Sequence, residues 1–253
     1  MAYTNSSLVS YKKLTKNHSG QRNHIIDTIT IHCYVGQVTA QSGVDYFYNQ
    51  GELYQQWWVN PKTGKKERKG RGCSSNYIIG KNGDIGLSVE EKNRSWCTSS
   101  ESNDQRAITI EVASDNKAPY AVTDAALNSL IKLCADICER NNIKELKWKN
   151  DKSLIGKPDQ QNMTVHMWFA NKACPGEYLL SKHSYIAEEV NKLLNKNKEV
   201  TVNKEPSSYA KVSCEKAVKL GVFKGDSKGD YMWHTPLTRQ DFCVILDRLG
   251  LLK

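Results

Sequence analysis

The sequence predicts an α/β domain, a central mixed β-sheet flanked by helices, followed by a small helix–loop–helix unit. Three observations carry this. Short β-branched runs, His24–His32 and Ala107–Val112 among them, alternate with two amphipathic helical patterns. Asn82-Gly83 marks a tight hairpin between apolar segments. A polar stretch rich in Lys, Glu and Asn, residues 195–207, then interrupts all periodicity before a fresh helical pattern begins.

The elements follow in order. His24–His32 is β-branched and reads as a strand ending in a histidine. Leu53–Val59 and Ser75–Ile79 read as strands on either side of a turn-rich insertion. That insertion contains the basic run Lys62–Arg71, simplest as a solvated hairpin tip. After the Asn-Gly turn comes Ile85-Gly86-Leu87. Ala107–Val112 looks like a central strand carrying one charge, Glu111. Thr123 is a good N-cap, and Leu127, Leu130, Ile131, Cys134, Ile137 and Cys138 repeat at helical spacing up to Asn141. A second helix is expected from about Ser181 to Leu194, with Ile186, Val190, Leu193 and Leu194 inward.

Three segments are therefore expected: a domain over 1–194, a linker over 195–207 and a helical module over 208–253. In the module, a helix through Ala210, Cys214, Ala217, Val218 and Leu220 precedes a turn, Phe223–Gly229. A second helix starts near Thr238, with Asp241 at the capping-box offset and a core stripe of Phe242, Ile245, Leu246 and Leu249. So small a unit is marginal alone and is expected to pack on its own domain, a second copy or another surface.

Composition narrows the function classes. No run of about 18 apolar residues occurs, so no membrane span is expected. The start, Met1–Ser7, lacks the basic-then-apolar layout of a secretory leader. The expectation is synthesis in the cytoplasm and release by some other route. Eight cysteines in such a chain argue for reduced thiols or metal ligation over a disulfide framework. Cys134 and Cys138 lie on the apolar helix face and read as core. The formal charge of +9 implies a polyanionic neighbour, nucleic acid or a phosphate-bearing wall polymer. No nucleic-acid-binding motif accompanies it, so nucleic acid is not expected as a partner.

The segment from Val165 to Gly176 supplies His166, Lys172 and Cys174 before a Pro-Gly turn. With His32 far upstream, two imidazoles and one thiol make the ligand set of a zinc that keeps one position open for water. The alternative is a buried strand histidine and a packed thiol. Cys33 follows His32 and points to the opposite strand face. Glu111, in an apolar strand, needs a partner or a task; general base toward an attacking water is one, a salt bridge the other. Lys172 could meet a developing oxyanion or simply face solvent. Trp57, Trp58, Trp96 and Trp168 could line a groove, with Trp96 and Trp168 the better candidates.

These motifs, in this order, resemble the zinc-dependent N-acetylmuramoyl-L-alanine amidases of type 2, a family that includes phage lysozyme-type amidases and peptidoglycan recognition proteins. The landmarks are Ile29–His32, Ser75–Ile79 with Asn82–Ile85, Arg94-Ser95-Trp96, Ala107–Glu111 and His166–Gly176, covering roughly 23–194. The resemblance implies one catalytic Zn2+ held by His32, His166 and Cys174, with Lys172 stabilising the oxyanion and Glu111 as base. It also implies peptidoglycan as substrate, cut between N-acetylmuramic acid and L-alanine. Two departures stand out. The strand tyrosine used by some members is matched by about Ser75, which shifts base duty to Glu111. The frequent Trp-His pair appears as Trp96-Cys97, so Cys97 does not inherit a histidine's role.

The C-terminal stretch Ala217–Asp226 with Leu237–Phe242 is similar to S-layer homology modules, which bind wall polymers. The combined expectation is a phage or prophage endolysin, or an autolysin, with a wall-targeting module that could also form a homodimer. The alternative is a recognition protein of the same fold that binds peptidoglycan without cutting it. A membrane partner is not expected.

Overall fold

The computed structural model describes residues 3–202, 205–226 and 229–252. Met1 and Ala2 of the N-terminal segment, Asn203 and Lys204 of the expected linker, and Ser227 and Lys228 of the expected turn lie outside these. The chain divides into two compact units, Met1–Leu194 and Asn195–Lys253.

The first unit runs β1 (Tyr11–Lys12), β2 (His18–Gln21), β3 (Thr28–Cys33), α1 (Ala40–Tyr54), β4 (Trp57–Val59), β5 (Lys66–Arg68), β6 (Tyr77–Ile79), β7 (Ile85–Leu87), β8 (Asn93–Ser95), α2 (Glu101–Arg106), β9 (Ala107–Val112), α3 (Asp124–Arg140) and β10 (Met163–Thr164). Helix α4 (Gly176–Val202) follows. Six strands form one sheet in the order β1-β7-β6-β9-β3-β10. Its pairs are parallel except the β6–β7 hairpin, so the sheet is mixed, as the sequence predicts. The hairpin turns at Gly83, whose φ of 82° a side chain would resist.

Burial explains the central positions. Every residue of β3 is buried, and β9 is buried except at Glu111, as strands covered on both faces require. Ile29, Ile31 and Cys33 face the main core with α3 and α4, so His32 points to the other face. Thr123 caps α3 by accepting from the Ala126 N–H, and the expected apolar stripe is buried. Cys134 and Cys138 are fully buried core residues.

Besides the first apolar strand, which begins at Thr28 and not at His24, three expectations need correction. Helix α1 was not anticipated, and Leu53 and Tyr54 end it instead of opening a strand. Its sequence, with two glycines, three tyrosines and a valine, has poor helix propensity. Packing makes the helix: Ala40, Gly43, Val44, Phe47 and Gly51 are buried, and a Cβ on Gly43 would stand 2.7 Å from Ile78 Cγ2. Helix α4 starts at Gly176, not near 181, and runs to Val202, into the expected linker.

In the second unit, α5 (Lys211–Lys219) and α6 (Arg239–Arg248) match the predicted pair. Thr238 and Asp241 form the predicted capping box. The predicted stripe is the third correction. Ile245 and Leu246 are half-buried, whereas Phe242 and Leu249 are exposed. Two short helices enclose too little volume to cover four large side chains. Phe223, Tyr231 and Trp233 form an aromatic cluster beside α6, with the Tyr231 and Trp233 rings stacked at 5.2 Å. Among the described residues no helix is long and apolar enough to cross a membrane.

Candidate active site

Parallel pairing of β3 with β9 sets His32 beside Glu111 at the carboxyl ends of two central strands. Crevices at such strand ends are where open α/β sheets bind ligands. β10 pairs with the other edge of β3 and delivers the chain into a single 3-10 turn, His166–Trp168. The loop then folds back, closed by the Met167 N–H donating to the Cys174 carbonyl at 3.0 Å. This closure brings Cys174 to His32.

The ligand atoms of His32, His166 and Cys174 all lie within 4.8 Å of one another. Cys174 Sγ is 3.2 Å from His32 Nδ1, and the two imidazole centroids are 5.1 Å apart. Ligands of a tetrahedral zinc, bonded at about 2.0–2.3 Å, stand about 3.3–3.8 Å apart, so this set needs only small adjustment to fit one ion. Its chemistry fits too. Burial, and then the neighbouring His166, hold His32 well below the usual histidine range. Burial and then the Lys172 charge lower His166. Both rings therefore offer lone pairs. The Cys174 thiol is pushed up, first by its hydrogen bond with Cys33 and then by burial, so a thiolate there calls for a cation.

Glu111 stands on the same side. Its Oε1 is 4.0 Å from His32 Nδ1, and its Oε2 is buried with no hydrogen-bond partner. Burial raises this carboxyl well above the ordinary glutamate range. Lys172 is exposed at the rim, near enough for its charge to act on His166. The five expected catalytic and ligand positions thus gather in one place.

The aromatic candidates divide differently. Trp168 is half-buried and stacks on Trp148 at 5.2 Å and 8°, which commits one ring face to packing. Trp96 is half-buried; its indole donates to Ser19 Oγ at 2.6 Å and its ring meets Tyr54 edge-on. Trp57 and Trp58 lie exposed on β4, where the Arg68 guanidinium covers Trp57. The basic run from Lys62 forms the β4–β5 hairpin, as predicted. Ser75 is buried, its hydroxyl donating to the Tyr77 carbonyl.

Sequence reasoning passed over two neighbours of the site. Cys97 Sγ lies 3.4 Å from His32 Nε2, and Ser99 Oγ lies 3.4 Å from His166 Nε2. In the sequence Cys97 stands out only as a departure from a histidine, and nothing in Thr98-Ser99-Ser100 distinguishes Ser99 from an ordinary helix-cap cluster.

The family profile of N-acetylmuramoyl-L-alanine amidase matches residues 21–177. The chain belongs to this family. The amidase match spans the sheet from just before β3 to the start of α4, and so contains every residue of the site above. No curated protein matches the chain. Similar solved structures include PlyL, 13% identical with a TM-score of 0.47, covering 71% of this chain and 95% of that one. A mutant endolysin from Bacillus subtilis is 15% identical with a TM-score of 0.48, covering 71% and 97%. A selenomethionine derivative of AmpD is 15% identical with a TM-score of 0.49, covering 74% and 99%.

Proposed function

We propose that this family member is a zinc-dependent N-acetylmuramoyl-L-alanine amidase that hydrolyses the amide between the lactyl group of muramic acid and L-alanine. The observation that carries the reading is the convergence of His32 on β3 with His166 and Cys174 of one distant loop, with Glu111, whose Oε2 has no hydrogen-bond partner, beside them. When bound, zinc supplies a Lewis acid that acidifies a water and polarises a carbonyl.

The chain's own residues do the rest. His32 and His166 present neutral nitrogens, and Cys174 supplies negative charge. Glu111, half-buried and held above the ordinary glutamate range, takes a proton from the attacking water and returns it to the leaving amine. Lys172 meets the charge that develops on the carbonyl oxygen. Trp96 and Trp168 are read as walls of the substrate groove, each through the face its packing leaves free. The second unit is read as a wall-anchoring module for anionic polymers, and the whole as an endolysin or autolysin released from the cytoplasm.

The test is an assay of purified peptidoglycan for newly exposed N-terminal alanine, alongside zinc content. The expected result is new alanine amines without reducing sugar, and one equivalent of zinc that falls sharply in Cys174→Ser. Reducing sugar alone, or cleavage that survives prolonged chelation, would overturn the proposal.

A further inference from the structure

We propose that the segment Cys97-Thr98-Ser99 is a bracket that orients both metal-binding histidines, with Cys97 and Ser99 as positioning residues. The inference rests on the ligand set proposed above. The donor atoms fall into two groups, His32–His166–Cys174 and His32–Cys97–Glu111, which share only His32. Cys97 approaches the ring nitrogen opposite the one that faces Cys174, and so sits behind the ring. His32 turns Nδ1 toward Cys174 at 3.2 Å and Nε2 toward Cys97 at 3.4 Å. The tautomer this selects carries its proton on Nε2, donated to sulfur, and leaves the Nδ1 lone pair facing the ion. Cys97 in turn directs its own S–H at Glu111 Oε1, 3.9 Å away. Ligand, thiol and carboxylate form one chain.

Ser99 does the same for the second ring, with Oγ 3.4 Å from His166 Nε2. Outer partners of this kind set ring orientation and ligand basicity, and carboxylates or backbone carbonyls usually fill the role. Here one short segment serves both histidines through side chains. Its own placement is enforced. The backbone N–H groups of Cys97 and Thr98 and the Thr98 hydroxyl all donate to the buried Asp104 carboxylate, at 2.6–3.3 Å. Ser99 is held at a φ of 62°, a left-handed conformation that a non-glycine residue keeps only when its surroundings impose it.

The experiment uses the full chain and records imidazole nitrogen-15 NMR spectra before zinc is added, since zinc on Nδ1 would by itself leave the proton on Nε2. Zinc affinity is measured by competition with a chromogenic chelator for wild type, Cys97→Ala, Cys97→Ser, Ser99→Ala and Cys174→Ser. The expected wild-type spectrum shows both rings protonated at Nε2. Cys97→Ala and Ser99→Ala should each weaken zinc binding by about 10- to 100-fold, with Cys97→Ser recovering part of the loss. Rings protonated at Nδ1, or wild-type zinc affinity in both alanine variants, would overturn the bracket while leaving the ligand set intact. Unchanged zinc binding in Cys174→Ser would instead overturn the ligand set itself. The wild-type spectrum decides the matter even if an alanine variant does not fold.

Discussion

Glu111 and His183 show how differently two desolvated titratable groups can be used. Glu111 has an unpartnered oxygen at the open strand ends, whereas His183 is sealed in the core. Replacing Glu111 with Gln keeps its shape and removes its proton capacity. Turnover should fall by about 100- to 10,000-fold, with zinc content unchanged; amine release and metal analysis on the same sample check both halves. The His183 Nδ1–H donates to the Leu179 carbonyl at 2.6 Å, and Nε2 is buried without a partner, with Trp148 packed 4.5 Å from the ring. Burial pulls this histidine down to about 4. Between that value and the unfolded value near 6.5 the unfolded chain binds the extra proton. The contribution to stability is therefore complete above about pH 6.5 and is lost as pH falls toward 4, about 3 kcal/mol in all. Urea midpoints measured from pH 7.5 down to 4.5 should drop, and less so in His183→Gln. Running both in the Cys174→Ser background keeps metal release out of the comparison.

Among the elements, α1 is the one whose existence depends on a close fit. Gly43 is destabilising by propensity, so alanine there would gain about 1 kcal/mol in an isolated helix. Against Ile78 the added carbon has no room, and overpacking of this kind costs about 1–3 kcal/mol. The larger effect wins, and Gly43→Ala should lower the melting temperature, as differential scanning calorimetry would show. At the other extreme, α3 and α6 are announced locally. Thr123 and Thr238 cap them through contacts three residues away, which are visible in the sequence.

At the scale of the whole chain, the two units differ in how completely they bury themselves. The first has an extensive core, while α5 and α6 bury no residue fully and leave Phe242 and Leu249 exposed. With a formal charge of +9, the full chain should pellet with purified walls more than a chain ending at Leu194. Retention should fall as salt rises if anionic polymers are the ligand. Equal pelleting of the two chains would remove the anchoring role, and sedimentation of the full chain would show whether the exposed stripe is covered in a homodimer instead.

Much of the candidate site was legible because its residue types are chemically costly where they stand. A histidine and a carboxylate each inside an apolar strand, and a His–Lys–Cys loop closing on Pro-Gly, each demand a partner, and local pattern is enough to notice the demand. The β3–β9 register that pairs His32 with Glu111, the helix built on Gly43 and the bracket of Cys97 and Ser99 were not legible in the same way. Each is a contact between segments far apart in the chain. Its energy comes from shape and mutual orientation, and neither has a signature in composition or periodicity.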